Sequence, residues 1–392
     1  MSKAQAARTP EPANDAAEDG LPWAEAPAEA RKLQLGKLFV PRAVEDRVVN
    51  IIEHARSDRL LYPEPQNVVI SGETGVGKSE IAKRFLAANP ERIDPETGDI
   101  IRPVLYVDVR NCSTPKSVAK ATWRALMRRG GIEDENETEA AEAEAILDDS
   151  GIKDREKKDK FAFMGTPDLT YAIKKLMVGQ RVEVAFLDEF HNTLIDNGVY
   201  RLNRVAEWVK DFAKSKERTS GRPHGTPEEN IVIVLMGTRK VKNVVDPTVN
   251  AELASISPYR IEIDKYHYGT PEQKKEFRQF LDDLDVELPF DVDSALCEPA
   301  IADKLFLATF GLLRPLAQIV TKAAELAIDD GSDRIREHHL HDAVELKRGV
   351  LESWLVSEDS QGKERKAQQN PFTPKPVTSK PEPRTRRGYR GE

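Results

Sequence analysis

A glycine-rich segment has the residue types and spacing that hold the phosphates of a nucleotide. Its eight residues fit the pattern G-x-x-x-x-G-K-[ST] without a gap, and they are Gly72, Glu73, Thr74, Gly75, Val76, Gly77, Lys78 and Ser79. An apolar run precedes the segment and a helical pattern follows it, so backbone N–H groups and a helix N-terminus can surround phosphate oxygens. We expect Lys78 to reach the β- and γ-phosphates of ATP and Ser79 to bind Mg²⁺.

Two adjacent acids end a later apolar run. Phe186 and Leu187 lead directly into Asp188 and Glu189. A P-loop enzyme needs a carboxylate for its metal at the end of a neighbouring strand, and Asp188 is the candidate magnesium ligand. Glu189 is the candidate base that polarises the attacking water. Such acids also serve as helix caps, but beside a phosphate loop the pair favours Mg²⁺-dependent hydrolysis of ATP.

The elements around these residues alternate between strands and helices. Short apolar runs typical of buried parallel strands occur at 67–70, 104–107, 182–187, 231–236 and 260–263. Helical patterns separate them, and beyond Tyr268 only helices follow, at 272–284, 294–310, 313–328 and 338–346. This order predicts an α/β fold in which helices cover both faces of a five-stranded parallel sheet, followed by a helical lid.

Composition sets the expected boundaries. Residues 1–33 and the Pro-, Lys- and Arg-rich segment 357–392 are expected to be disordered, flanking an α/β core over 34–268 and a helical lid over 269–356. Within the core, segment 132–160 carries twelve acids against five Lys/Arg and is expected to be a mobile insertion.

No apolar run is long enough for a bilayer span or placed as an export signal, and Cys112 and Cys297 are isolated thiols. We therefore expect a cytoplasmic protein.

Charge is distributed unevenly along the chain. The formal net charge is -8, yet the last 31 residues carry nine Lys/Arg and three Glu. A locally basic surface can still hold DNA on an acidic protein, because salt screens charges beyond about 8–10 Å. The basic tail is therefore compatible with a DNA arm, with a segment that docks onto a protein partner, or with a solubilising tail.

Several short motifs together resemble the TniB/TnsC family of AAA+ ATPases of transposons, over residues 34–346. Besides the phosphate loop, they are Leu187 to Leu194 (LDEFHNTL), Leu202-Asn203, Met236-Gly237-Thr238, Asn250 to Ser255 (NAELAS), Leu288-Pro289-Phe290 and Gly311 to Arg314 (GLLR). The resemblance implies an AAA+ core with a helical lid in a bacterial protein. It also implies ATP-driven self-association into a ring or filament on double-stranded DNA, where the ATPase bridges a TniQ-type target selector to the transposase and disassembles on hydrolysis.

The AAA+ pattern suggests three further catalytic residues. In AAA+ sheets the fourth strand lies between the first and the third, so Thr238 is placed to contact the γ-phosphate or the water. Arg314, at the start of a helix, is placed to reach the phosphates from the lid. The arginine that reaches a neighbour's ATP commonly follows the Leu-Ala-Ser run directly, whereas here the nearest candidate, Arg260, is displaced by several residues.

The loop after the second strand is the candidate DNA contact, because related proteins meet DNA near this face. Its candidate residues are Arg110, Thr114, Lys116 and Lys120. If they contact phosphates, affinity should depend on salt.

Two other function classes stay open. One is an AAA+ replication initiator or loader, which also binds ATP and DNA, and the other is a signalling NTPase that does not bind DNA. The sequence DEFH also looks like a helicase box, but no second RecA-like domain follows it, so His191 is expected to be a packing or polar-network residue.

Overall fold

In the computed structural model, the backbone is described over most of the chain. The described residues are 22–62, 64–128, 165–194, 199–213, 230–355 and 370–373. They form two units. The sheet unit comprises Pro41–Tyr266 with Leu312–Arg314, and the helical unit comprises the remaining residues on either side. The expected insertion at 132–160 and most of the tail lie outside the described residues.

The sheet unit contains the five strands that the sequence predicts. They are β1 (Val68–Gly72), β4 (Val104–Asp108), β5 (Val184–Asp188), β6 (Val232–Gly237) and β7 (Tyr259–Ile263). These five strands form one sheet in the spatial order β4-β5-β6-β1-β7, and each strand is parallel to its neighbours. The strand that ends in Gly237 therefore lies between those that end in Gly72 and Asp188, as expected. Parallel strands end at the same edge, so the phosphate loop and the two acids meet there.

Helices cover both faces of this sheet because successive side chains of each strand point to opposite sides. They are α2 (Ala43–Asp58), α3 (Lys78–Ala88), α4 (Pro115–Met127), α5 (Thr166–Gly179), α6 (Val199–Ala213) and the short α7 (Ala251–Ser255). Val68 and Ile70 pack in one apolar cluster with residues of α2 and α3, whereas Val69 packs in a second with residues of α4, α5 and α6. A small antiparallel pair, β2 (Arg92–Ile93) with β3 (Ile100–Ile101), was not predicted.

The helical unit contains four long helices near the expected positions: α8 (Pro271–Val286), α9 (Pro299–Thr309), α10 (Leu313–Asp329) and α11 (Glu337–Leu355). The first two residues of α10 belong to the sheet unit. The second of these predicted helices begins at Pro299, five residues later than the predicted start at Ser294, because Pro at the first helical position has no N–H to satisfy. Thr270 and Gln273 form a capping box that fixes the start of α8.

The expected disordered leader is wrong for its C-terminal part. Residues 28–35 form α1 (Ala28–Leu35), and the backbone N–H groups of Trp23 and Ala24 donate to the carboxylate of Asp291 at 2.8 and 2.7 Å. Arg31 donates to the carbonyl of Pro289 at 3.0 Å and stacks over the Phe290 ring. These contacts are long-range, so a composition-based prediction could not detect them.

The expected disordered tail is also corrected at one point. Asn370 and Phe372 are buried, with 6% and 2% of their surface exposed. Both cysteines are free thiols, as expected. Among the described helices, none combines the length and the apolar composition needed to cross a bilayer.

Two carboxyl groups face each other in the helical unit and make its stability depend on pH. Burial and the neighbouring Asp293 raise the pKa of Asp285 from 3.8 to about 7. The folded state therefore holds a proton that the unfolded chain releases near pH 4. This proton contributes fully to the free energy of unfolding below the pKa that Asp285 has in the unfolded chain. The contribution is lost as the pH rises from about 4 to about 7.

We expect the free energy of unfolding of Asp285→Asn to fall less steeply than that of the parent between pH 4 and 7, because the variant lacks this titration. Urea unfolding monitored by circular dichroism at five pH values measures both slopes. Asp283→Asn, an exposed neighbour on the same helix, should keep the parental slope. Parallel curves for the parent and Asp285→Asn would contradict the assignment.

Candidate nucleotide site

The phosphate loop joins β1 to α3 through two left-handed turns of the backbone. Gly75 and Gly77 have φ values of 86° and 94°, which glycine adopts at little cost. Gly77 caps α3, whose first residue is Lys78, so the loop ends on a helix N-terminus that favours anions. The sequence pattern and the local fold agree here.

A buried ion pair supports the loop from behind. The guanidinium of Arg42 donates to the Val76 carbonyl at 2.7 Å and to the carboxylate of Glu45 at 2.9 Å. Arg42 and Glu45 are 7% and 3% exposed. A Cβ at position 77 would lie 3.1 Å from the Arg42 guanidinium, so the small residue also makes room for the pair. The sequence analysis missed both residues because neither belongs to a phosphate-binding pattern.

The side chain of Lys78 folds back into the phosphate loop. Its ammonium group donates to the carbonyls of Gly72 and Glu73 at 3.0 and 2.9 Å. The pKa of Lys78 is lowered by burial, and the negative charges of Glu189 and Asp188 offset part of this shift. The two acids predicted from the sequence are therefore electrostatic neighbours of the predicted lysine.

Ser79 and Asp188 meet directly, although 109 residues separate them. The Ser79 hydroxyl donates to Oδ2 of Asp188 at 2.5 Å, and the Tyr106 hydroxyl donates to the same oxygen at 2.8 Å. Asp188 is 1% exposed. A hydroxyl beside a buried carboxylate is the donor set that Mg²⁺ uses in P-loop proteins, so the two residues fit the expected ion. Tyr106, a strand residue on β4, was not predicted.

Glu189 has a backbone conformation that is unusual for a side chain of its size. Its φ is 55°, and such strain is often found at functional sites. Its own N–H donates to Oδ1 of Asp188 at 2.8 Å, which fixes the turn after β5. Burial and the adjacent Asp188 charge raise the pKa of Glu189. A carboxylate with a raised pKa is a better proton acceptor near neutral pH.

His191 connects Glu189 with the end of β6. Its Nδ1 lies 3.3 Å from Oε2 of Glu189 and accepts the Thr238 N–H, also at 3.3 Å. Burial and the charge of Lys78 lower the pKa of His191, which favours a neutral ring as hydrogen acceptor. A Cβ at Gly237 would lie 3.0 Å from the ring nitrogen, so the glycine permits this close contact. His191 is thus a polar-network residue, as expected.

Thr238 and Arg314 both lie by the loop. The Thr238 hydroxyl is buried and has no hydrogen-bond partner among the described residues, which leaves it available to a ligand. The Arg314 N–H donates to the Gly75 carbonyl at 3.0 Å, and the Arg314 charge contributes to the lowered pKa of Lys78. The structure therefore brings both predicted residues to the phosphate loop.

Arg260 lies elsewhere in this chain. It pairs in register with Val69, three residues before the strand end at Gly72. Its guanidinium donates to the carbonyls of Ala254 and Ser257, both at 3.2 Å. These carbonyls lie at and just after the C-terminus of α7, away from the phosphate edge of the sheet, so Arg260 does not join the site of its own chain.

Among the candidate DNA residues, Arg110 and Thr114 have contacts within the chain. Arg110 is 57% exposed and pairs with Asp108 at 3.1 Å, and its positive charge acts on Glu189. The Thr114 side chain caps α4 in a capping box with Ser117. Lys116 and Lys120 follow in the first turns of that helix and are partly exposed. Arg110 thus lies closer to the two predicted acids than the sequence indicated.

Comparisons with known proteins agree with the fold. The AAA domain family matches residues 63–245. Together with the parallel sheet, this gives the sheet unit the AAA+ P-loop fold, followed by a helical C-terminal region. No curated protein matches the chain.

Three solved structures with similar folds are an ORC1 protein from Aeropyrum pernix in complex with DNA, the ADP form of ORC2 from the same organism, and Cdc6p from Pyrobaculum aerophilum. They are 17%, 14% and 12% identical to this chain, with TM-scores of 0.47, 0.49 and 0.47. The alignments cover 81%, 80% and 84% of this chain and 68%, 72% and 74% of theirs.

We expect Arg42→Met to lower the free energy of unfolding by about 3 kcal/mol, because it leaves the Glu45 charge buried without its closest partner. The same change should weaken ATP binding, since the Val76 carbonyl loses its donor. Denaturant titration and calorimetry measure the two effects. The exposed Arg47→Met on the same helix should change stability by no more than about 0.5 kcal/mol. Equal stability of Arg42→Met and the parent would contradict the supporting role.

We expect Tyr106→Phe to weaken binding of Mg²⁺·ATP by about 10-fold, because groups that orient a metal ligand typically contribute that much. Binding of ATP in EDTA should stay unchanged, since the lost hydroxyl contacts Asp188 and Ser79, the two predicted metal ligands. Fluorescence titration with a labelled nucleotide measures both. Tyr62→Phe, at an exposed tyrosine, is the control. An equal loss with and without Mg²⁺ would show that Tyr106 acts on the nucleotide instead.

Proposed function

We propose that this chain hydrolyses ATP with Mg²⁺, and that ATP controls its assembly on double-stranded DNA. The observation that supports this most strongly is the convergence of Ser79, Asp188 and Glu189 beside Lys78 at one edge of the sheet. The metal, when bound, neutralises charge on the phosphates. The protein residues have separate tasks.

The phosphate loop binds and orients the nucleotide. Glycine N–H groups and the N-terminus of α3 hold the phosphates, and Lys78 contributes a positive charge. Ser79 and Asp188 hold the metal. Glu189 accepts the proton of the attacking water, and His191 Nδ1 lies 3.3 Å from its carboxylate. We propose that the Thr238 hydroxyl contacts the γ-phosphate and that the positive charge of Arg314, which acts on Lys78, stabilises the phosphates.

The DNA role is proposed on two grounds. The motifs of residues 187–194, 236–238 and 250–255 resemble those of the TniB/TnsC ATPases, which assemble on target DNA. The Aeropyrum pernix ORC1 structure is a complex with DNA. We propose that several copies of the chain align on duplex DNA, and that Lys116, Lys120 and Arg110 of each copy contact the DNA phosphates. We also propose that Arg260 serves as the arginine finger toward the adjacent copy.

The process served by this assembly has two candidates. One is the regulation of transposition, in which the ATPase bridges a TniQ-type selector to the transposase, and it rests on the motif resemblance alone. The other is a replication initiator or loader, the class to which ORC and Cdc6 proteins belong. TM-scores of 0.47 to 0.49 do not decide between them. Transposase and TniQ-type genes beside this one would favour the first candidate.

We expect Glu189→Gln to bind ATP but to hydrolyse it at least about 100-fold more slowly, since general-base catalysis contributes about 10²–10⁴. If hydrolysis drives disassembly, the variant stays on DNA. Phosphate release and electron microscopy with linear duplex DNA measure the two effects. Glu276→Gln, at an exposed acid of α8, is the control and should retain turnover.

Two results would overturn parts of this proposal separately. Normal ATP turnover by Glu189→Gln would remove the catalytic assignment. If Glu189→Gln loses turnover as expected, but neither protein shifts duplex DNA in an ATP-dependent way at low salt, the chain is an ATPase that does not bind DNA. That result is expected for a signalling NTPase.

A further inference from the structure

A short segment near the C-terminus is folded against the helical unit. The Asn370 side-chain amide donates to the carbonyl of His341 at 2.9 Å and to the carboxylate of Glu345 at 3.0 Å. The Asn370 side-chain oxygen accepts the Phe372 N–H at 3.0 Å, and the Thr373 N–H donates to the Asn370 carbonyl at 3.1 Å. One asparagine therefore both closes the turn and attaches it to α11.

The aromatic ring is the second anchor of this segment. Phe372 is 2% exposed, and the ammonium group of Lys304, on α9, lies 5.5 Å from its ring centroid. Burial of an apolar ring and pairing of buried polar groups both stabilise the docked state. The contact thus joins a polar anchor, a turn closed by Asn370 and an apolar anchor within four residues.

We propose that the surface formed by Lys304, His341 and Glu345 is a peptide-docking site, and that its ligand is the segment Asn370-Pro371-Phe372-Thr373. The docked segment attaches the basic residues 374–392 to the helical unit. Those residues include six Lys/Arg and two Glu. The site therefore fixes the starting point of a cationic arm that would otherwise begin at the end of α11. This inference does not depend on ATP hydrolysis or DNA binding.

The length of the connection explains how the segment reaches the site in its own chain. Fourteen residues, 356–369, separate the end of α11 from Asn370. His341 lies 14 residues before Leu355, a distance of about 21 Å along a helix. Fourteen residues can span at most about 46–50 Å, so the connection is long enough to return Asn370 to His341. Because both partners belong to one chain, the covalent connection raises the occupancy of a contact that would be weak between separate molecules.

A fluorescent peptide of residues 366–378 tests the site on the full-length protein. The acceptor is the Phe372→Ala chain, whose own segment is weakened. We expect saturable anisotropy, at least about fivefold weaker binding to the parent chain because its own segment competes, and loss of binding when the peptide carries Phe372→Ala. Adding Glu345→Ala to the acceptor should weaken binding at least about threefold, whereas Asp342→Ala, at a neighbouring acid whose carboxylate pairs with the His341 ring, should not.

Hydrogen exchange tests the contact without any acceptor variant. In the parent chain, the Phe372 and Thr373 amides should exchange at least about tenfold more slowly than in the free peptide, and Asn370→Ala should abolish that protection. Circular dichroism confirms that each variant is folded. Exchange at the free-peptide rate in the parent, or equal binding of the parental and Phe372→Ala peptides by the acceptor, would overturn the proposal.

Discussion

The contact between Ser79 and Asp188 is the constraint on which the nucleotide site depends. The two residues lie on different elements, 109 positions apart, and their side-chain oxygens are 2.5 Å from each other. This distance requires β1 and β5 to end at the same edge of a parallel sheet, with β6 between them. It also requires the loop after β1 to turn sharply enough for α3 to start beside the acids. The Arg42–Glu45 pair and the positive φ of Gly77 support that turn.

Much of the sheet unit is predictable from the sequence because its chemistry and its periodicity agree. Each buried strand appears as a short apolar run, and the loop and the acids follow two of these runs. Thr238 was identified by the same argument, since it follows a third. The residues that escaped prediction make contacts across long sequence separations. Tyr106 looks like any half-buried strand residue, and only the register of β4 beside β5 brings its hydroxyl to Asp188.

The helical unit illustrates the opposite case. Segment 22–33 and residues 370–373 lie in Pro-rich, charged surroundings, and composition alone predicts disorder there. Their order comes from a few specific contacts, such as the Trp23 N–H with Asp291 and the Asn370 amide with Glu345. A single polar side chain closing a turn leaves no periodic pattern in a sequence. Arg260 lies outside the site of its own chain, with its guanidinium on the carbonyls of Ala254 and Ser257, and its proposed role is toward an adjacent copy.

Calorimetric titration of ATP into the parent chain and into Lys78→Ala, each with Mg²⁺ and with EDTA, tests the central claim most directly. The account predicts that the parent binds ATP more tightly with Mg²⁺ than without it. It also predicts that Lys78→Ala weakens binding by about 10- to 100-fold, because a charge-assisted hydrogen bond contributes about 1.5–3 kcal/mol. Identical isotherms for the two proteins, or no heat of binding in the parent, would contradict the assignment of this edge of the sheet as a nucleotide site.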